Sequence, residues 1–115
     1  MVDREYIPDA GDIVWVDFTP QAGHQQAGRR PALVLSPKIY NDKAGLAVMC
    51  PITSRVKGYP FEVAIVRSGP IQGVVLSDQL KSLDWRQRKA ERAVRVSPKV
   101  LEEVRGRIAV LLGVS

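Results

Sequence analysis

Helical periodicity is concentrated at the C-terminal end of this chain, and this feature restricts the fold more than any other. Apolar side chains recur there at spacings of three, four and three residues, at Leu101, Val104, Ile108 and Leu111. Ser97 suits the N-cap, Pro98 the first helical position, and Gly113 the C-terminal end. The sequence therefore predicts an amphipathic helix that closes the chain.

The chain before Ser97 is divided by proline and glycine into short segments rich in β-branched and aromatic residues. These segments predict five or six strands, at residues 12–18, 32–36, 46–53, 61–66, 73–77 with an irregular continuation through Lys81, and 92–96. Residues 37–45 are too polar for a strand and predict a turn with at most a short helical piece. Trp15, in the middle of the first strand, is predicted to lie in the core. Residues 1–115 thus form a single domain of mainly β (α+β) class, a small bent antiparallel sheet or barrel with a C-terminal α-helix.

Composition excludes several other classes of protein. The single cysteine, Cys50, cannot form an intrachain disulfide, and no cluster of Cys and His residues offers the four ligands of a structural zinc site. The N-terminus lacks the apolar stretch of a signal peptide, and no apolar run approaches the ~20 residues that cross a bilayer. We therefore expect a cytoplasmic protein with no metal, cofactor or membrane contact.

The positive charge is unevenly distributed. The formal net charge is +5, and the whole surplus lies in residues 51–115, because residues 1–50 hold five basic and six acidic side chains. A surplus of cations in a small domain suggests a polyanionic partner, while solubility charge on exposed surfaces is an equally good explanation.

A polar segment with two adjacent arginines follows the first predicted strand. Residues 21–30 form a predicted surface loop that carries His24, Gln25, Arg29 and Arg30. Such a cluster could bind a phosphodiester, since arginine offers a planar fork to two phosphate oxygens. Metal-free RNA cleavage needs a base for the 2′-OH, an acid for the departing 5′ oxygen and cationic donors for the phosphoryl oxygens. An ordinary solvated loop explains the same residues.

Several separated motifs together resemble the MazF/PemK family of bacterial toxins. They are residues 11–18 (GDIVWVDF), 23–36 (GHQQAGRRPALVLS), 51–54 (PITS), 57–63 (KGYPFEV) and 74–82 (VVLSDQLKS). The resemblance extends from about Tyr6 to Gly113. It implies an SH3-like, plasmid-toxin barrel with a C-terminal helix, assembled as a homodimer. It also implies sequence-specific, metal-independent cleavage of single-stranded mRNA to 2′,3′-cyclic phosphate and 5′-hydroxyl ends, and a MazE-like antitoxin whose acidic tail covers the RNA groove.

The resemblance assigns roles to individual residues. The family's catalytic arginine falls on Arg30, which would stabilise the pentacoordinate phosphorane, and its threonine falls on Thr53, which would hydrogen-bond a phosphoryl oxygen. The family's glutamate position is occupied by Gln25, whose amide cannot accept a proton at neutral pH. Three interpretations remain open: an isosteric replacement of a natural glutamate, a native glutamine with His24 or water as the base, or an RNA-binding member without full activity.

Residues with contacts to RNA beyond the scissile phosphate are predicted near the ends of the strands. Phe18, Tyr59 and Phe61 could stack on unpaired bases, although core packing explains Phe18 and Phe61 equally well. The amide of Gln79 could read a base edge. Contacts to the RNA backbone are predicted for Arg55, Lys57, Lys81, Arg86 and Arg88, and Arg29 and Ser54 are also predicted to bind RNA.

Two rival functions remain to be separated from RNA cleavage. One is a toxin of the same fold that poisons DNA gyrase by binding it through the terminal helix. Such a toxin would not need the residue 23–31 motif or Thr53. The other is an RNA-binding module without turnover. Similarity to the family suggests an ACA-type cleavage site, but residue patterns do not yield that sequence.

Overall fold

The computed structural model describes residues 5–18 and 28–114, and for residues 66–68 it describes the backbone alone. Within these ranges there are seven strands: β1 (Asp12–Asp17), β2 (Arg29–Val34), β3 (Ala47–Thr53), β4 (Glu62–Ser68), β5 (Ile71–Leu76), β6 (Lys81–Leu83) and β7 (Glu91–Arg95). Two α-helices, α1 (Lys38–Ala44) and α2 (Pro98–Leu112), and a 3₁₀ turn (Ser77–Gln79) complete the described elements.

The strands form one antiparallel sheet in the order β4-β5-β3-β2-β1-β7, and β6 pairs with β3 outside this path. The predicted mainly β fold with a C-terminal helix is confirmed. The short helical piece expected between the second and third strands is α1. The strand count exceeds the prediction because residues 81–83, interpreted as an irregular continuation, form a separate strand against β3.

The second strand begins earlier than predicted. Arg29 and Arg30 belong to β2, where they pair with Asp17 and Val16 of β1, rather than to the preceding loop. Pro31 is tolerated within the strand because pairing with β3 begins only at Ala32, so its missing N–H is not needed there. This register fixes the direction of both arginines.

Apolar residues pack on both faces of the sheet. Along β1, β2 and β3, neighbouring residues alternate between two clusters: Ile13, Leu33 and Cys50 join the cluster under α2, while Val14, Val34 and Met49 join the cluster around Trp85. Helix α2 contributes Val104 and Ile108 to the first cluster. The sheet therefore has a covered surface on each side, and its polar residues are left at the strand ends.

Helix α2 confirms the predicted capping. The Ser97 hydroxyl accepts a hydrogen bond from the Val100 N–H, and Gly113 ends the helix in the left-handed conformation. The prediction fails for Leu111, which is exposed, because only Val104 and Ile108 of α2 are buried against the sheet.

The predicted core position of Trp15 is wrong. Its side chain is 36% exposed and belongs to neither apolar cluster. Alternation places Trp15 on the sheet face opposite Val14 and Val16, and at that point the face borders an open cavity rather than α2.

Candidate active site

Two open cavities meet at Thr53. The first, here called the arginine cavity, has a volume of about 240 Å³ and is lined by Trp15, Arg30, Pro31, Ile52, Thr53, Ser54, Pro70, Ile71 and Gln72. The second, the loop cavity, has a volume of about 330 Å³ and is lined by Thr53, Arg55, Lys57, Tyr59, Glu62, Leu76 and Gln79. Thr53 therefore joins a site with the predicted catalytic arginine to a groove with four of the predicted RNA-binding residues, Arg55, Lys57, Tyr59 and Gln79.

The two adjacent arginines of β2 have different surroundings. Arg30 is exposed and lines the arginine cavity. Arg29 pairs with Asp17, and its guanidinium donates to Asp17 (3.1 Å), Glu91 (2.8 Å) and the Lys89 carbonyl (2.8 Å). Burial acts to lower the pKa of Arg29, but the hydrogen bonds that its guanidinium donates to Glu91 and Asp17 outweigh burial and raise the pKa. Arg29 thus links β1, β2 and β7, and its predicted contact with RNA stays a prediction.

Thr53 is the last residue of β3, and its position depends on a glycine of β5. The register pairs Thr53 with Val74, next to Gly73. A Cβ at Gly73 would lie 2.1 Å from the Thr53 carbonyl oxygen, and Gly73 has a φ of +128°, so both space and backbone conformation require glycine. The Thr53 hydroxyl oxygen accepts a hydrogen bond from the Arg55 N–H (3.1 Å), which leaves its own proton available for donation to a ligand.

The loop cavity combines cations with an aromatic ring. Arg55, Lys57 and Tyr59 come from the exposed segment between β3 and β4, and Gln79 comes from the 3₁₀ turn. Tyr59 is 50% exposed, and its ring centre lies 6.5 Å from that of the half-buried Phe61. Grooves that combine positive charge with aromatic rings are typical of proteins that bind single-stranded nucleic acid.

Other predicted RNA-binding residues lie outside both cavities. Phe18 is half-buried and packs against the cluster around Trp85, and the Lys81 ammonium group lies 5.8 Å from its ring centre. Arg86 pairs with Glu5 at 2.6 Å, and Arg88 donates to the carbonyls of Asp17 and Phe18. These cations have partners within the protein, and their contacts with RNA stay predictions.

The predicted residues His24 and Gln25 lie outside the described residues. Among residues 5–18 and 28–114, no group of three His, Cys, Asp or Glu side chains could hold a metal ion. Over the same ranges, no helix is long and apolar enough to cross a membrane.

Sequence reasoning missed three residues of the site: Trp15, Gln72 and Glu62. Trp15 and Gln72 line the arginine cavity, and the strand register that places them there is not visible in the local sequence. Glu62 lines the loop cavity and accepts hydrogen bonds from three backbone N–H groups. No sequence motif signalled this role, because the left-handed conformation of Gly58, which directs consecutive N–H groups toward the carboxylate, is visible only in the structure.

Comparison with known proteins identifies relatives over nearly the whole chain. Residues 9–112 match the family model described as PemK-like, MazF-like toxin of type II toxin-antitoxin system. The chain is 49% identical over 113 residues to the endoribonuclease toxin MazF of Escherichia coli K12, which covers 98% of this chain and 100% of that protein. It is 35% identical over 118 residues to the Escherichia coli endoribonuclease PemK, covering 97% of this chain and 87% of PemK.

Solved structures agree with the sequence matches. The crystal structure of MazF from Deinococcus radiodurans superposes with a TM-score of 0.86 at 58% identity, covering 95% of this chain and 99% of that one. A MazE-MazF crystal structure from the same organism superposes with a TM-score of 0.86 at 51% identity, covering 96% and 100% of the two chains. With its bent antiparallel sheet, its C-terminal helix and the Arg30–Thr53 cavity, this chain belongs to the PemK-like, MazF-like family of type II toxins.

Proposed function

We propose that this protein is the toxin of a type II toxin-antitoxin system, an endoribonuclease that cleaves single-stranded mRNA at the arginine cavity and so inhibits translation. The observation that carries the proposal is that Arg30 of β2 and Thr53 of β3 line one open cavity beside a basic groove. Both curated relatives described above are named endoribonucleases, which supports the same activity.

The cleavage step uses the ribose 2′-OH as nucleophile. Its oxygen attacks the adjacent phosphorus, the bond from phosphorus to the 5′ oxygen breaks, and the products carry a 2′,3′-cyclic phosphate and a 5′-hydroxyl. Arg30 stabilises the negative charge on the phosphoryl oxygens and donates a hydrogen bond to the departing 5′ oxygen, which takes its proton from water, while the Thr53 hydroxyl donates a hydrogen bond to a phosphoryl oxygen. The 2′-OH proton goes to His24 or to water, because the Gln25 amide is not a base at neutral pH.

The loop cavity holds the RNA next to the scissile phosphate. Arg55 and Lys57 neutralise backbone phosphates, Tyr59 stacks on a base and Gln79 reads a base edge. Ser54, which lines the arginine cavity, adds a polar contact beside Thr53. Such a groove selects single strands, since a base must leave its stack to reach Tyr59.

The partner that controls this activity is an antitoxin with an acidic tail, which competes with RNA for the same cations. Crystal structures of MazE-MazF from Deinococcus radiodurans support such a partner for this chain. We further propose that the toxin is a homodimer and that it acts in the cytoplasm, where its substrate is translated.

A second candidate function is RNA binding with little turnover. The observation that favours it is Gln25, which occupies the position of the family's glutamate. In this form Arg30, Thr53 and the loop cavity would still bind RNA, but no carboxylate would accept the 2′-OH proton.

One experiment separates these functions. Purified protein is incubated with a 5′-labelled single-stranded RNA containing ACA sites in the presence of EDTA, and fragment ends and RNA binding are both measured. Fragments with cyclic phosphate ends support the toxin nuclease. Binding without fragments supports the second candidate, and absence of both contradicts the proposal.

A further inference from the structure

The segment between β3 and β4 donates several backbone hydrogen bonds to a single carboxylate, that of Glu62. Glu62 Oε1 accepts hydrogen bonds from the N–H groups of Gly58 (3.0 Å), Tyr59 (3.3 Å) and Lys57 (3.3 Å), and Oε2 accepts a second one from Lys57 (3.1 Å). Gly58 has a φ of +78°, the left-handed conformation that turns successive N–H groups toward one anion. The three donors are therefore arranged around a negative charge that the chain itself supplies.

Burial does not hold this segment in place. Residues 54–60 are exposed throughout, so their conformation depends on polar contacts. Besides the Glu62 carboxylate, these contacts are the Thr53 hydroxyl with the Arg55 N–H, the Tyr59 carbonyl with the Glu62 N–H (3.0 Å), and the Pro60 carbonyl with the Arg107 guanidinium. Glu62 makes the largest share of them, and hydrogen bonds to a charged acceptor are about twice as strong as neutral ones.

The position of Glu62 conflicts with simple electrostatics. It lines the loop cavity together with Arg55 and Lys57, in a groove proposed to bind a polyanion. Judged by charge alone, Glu62 weakens RNA binding, and its removal should strengthen it. Its carboxylate, however, accepts the backbone hydrogen bonds of the segment that carries Lys57 and Tyr59, and this role opposes the repulsion.

We propose that Glu62 is a positioning residue for RNA binding: its carboxylate fixes the Lys57–Gly58–Tyr59 backbone so that Arg55, Lys57 and Tyr59 face the same RNA strand. This inference rests on the proposed function and concerns the groove rather than the chemical step. Without the carboxylate, the three N–H groups hydrogen-bond to water and the segment samples many conformations. Binding of RNA must then order the segment, and the lost conformational entropy weakens the affinity.

The test compares Glu62→Ala and Glu62→Gln with Glu102→Ala, which removes the same charge from an exposed position on α2. Binding of a fluorescent single-stranded RNA is measured in EDTA by anisotropy at several salt concentrations. We expect the dissociation constant of Glu62→Ala to rise about tenfold, with a salt slope smaller by about 0.7 for each lost phosphate contact. Glu62→Gln keeps one acceptor oxygen and should lie between, while Glu102→Ala should bind as well as the unaltered chain or slightly better.

Amide hydrogen exchange of Lys57, Gly58 and Tyr59 gives an independent readout. We expect faster exchange in Glu62→Ala and unchanged exchange in Glu102→Ala. The inference is overturned if Glu62→Ala binds RNA as tightly as the unaltered chain with the same salt slope, even where its melting temperature falls. If the unaltered chain itself fails to bind RNA, the proposed function fails instead, so the two failures are distinguishable.

Discussion

Substitution of Gly73 by alanine should separate β5 from the end of β3 and displace Thr53. The added Cβ would lie 2.1 Å from the Thr53 carbonyl oxygen, 2.8 Å from the Thr53 carbonyl carbon and 3.0 Å from the Ser54 Cα. All three atoms belong to the backbone, so no side chain can move aside. The strands must then separate by more than about 1 Å to restore ordinary van der Waals contact.

Two effects follow from this displacement. Overpacking costs about 1–3 kcal/mol, and an alanine at a φ of +128° adds a similar strain, so the free energy of unfolding should fall by about 3 kcal/mol or more. For a domain of this size that lowers the melting temperature by roughly 10–20 °C. A misplacement of about 1 Å at a reacting group can reduce the rate about 100-fold, so cleavage should fall beyond the loss of folded protein.

Gly113→Ala is the matched control. Gly113 also has a positive φ, +73°, but nothing lies within 4 Å of its added Cβ, so the control reports backbone strain without the contact. Thermal unfolding and initial rates of RNA cleavage per folded molecule are measured for both variants. The reasoning is refuted if Gly73→Ala matches Gly113→Ala in melting temperature and cleavage rate, because the strand contact would then have no consequence for Thr53.

Three further predictions concern protonation and reactivity. Gln25→Glu should raise the cleavage rate sharply if a glutamate normally takes the 2′-OH proton, and an unchanged rate would show that another base does so. Burial and the hydrogen bond to Asp12 raise the pKa of Tyr6, so the folded state keeps its proton where the unfolded state loses it. The free energy of unfolding should therefore fall as pH rises above about 10, and the fall should be shallower in Tyr6→Phe; equal slopes in denaturant titrations would contradict this. Burial, with a smaller contribution from the charge of Asp78, raises the pKa of the Cys50 thiol to about 12. Alkylation by iodoacetamide at pH 8 should thus be far slower than in the unfolded chain, and a rate equal to that of a free thiol would contradict it.

Local sequence was sufficient where one segment determines its own structure. The N-cap at Ser97, the helix end at Gly113 and the approximate positions of the other strands follow from residue preferences and periodicity, and the structure confirms them; the exceptions are the start of β2 and the separate strand β6. The overall class followed as well, because short strands before one terminal helix leave few arrangements.

Features that depend on pairing between segments far apart in the chain could not be predicted from local sequence. Gly28 and Pro31 favour a loop at Arg29 and Arg30, and only pairing with β1 turns this segment into a strand. The exposure of Trp15 depends on which part of the sheet α2 covers, and α2 lies far along the sequence. Glu62 joins the site through the backbone of residues 57–59, whose conformation no motif reveals.

The candidate site was predicted mainly through resemblance. Composition indicated a polyanion but could not locate the chemistry, since Arg30 lies in the half of the chain without surplus charge. The structure adds that Arg30 and Thr53 border one cavity, while Arg29 links neighbouring strands through hydrogen bonds to Asp17 and Glu91. Of these two adjacent arginines, therefore, Arg30 is the one placed for catalysis.

The most direct test of this account is therefore a comparison of Arg30→Ala with Arg29→Ala. Both substitutions are made in the unaltered chain or in Gln25→Glu, whichever cleaves RNA faster. Cleavage of single-stranded RNA in EDTA is then measured per folded molecule, together with the melting temperature. We expect Arg30→Ala to lose cleavage by about 100-fold or more with its melting temperature nearly unchanged, because the lost group acts on the transition state. Arg29→Ala should keep most of its cleavage and melt at a lower temperature, because it loses its contacts with Asp17, Glu91 and the Lys89 carbonyl. Full cleavage by Arg30→Ala, or equal loss in the two folded variants, would contradict the assignment of catalysis to the arginine cavity.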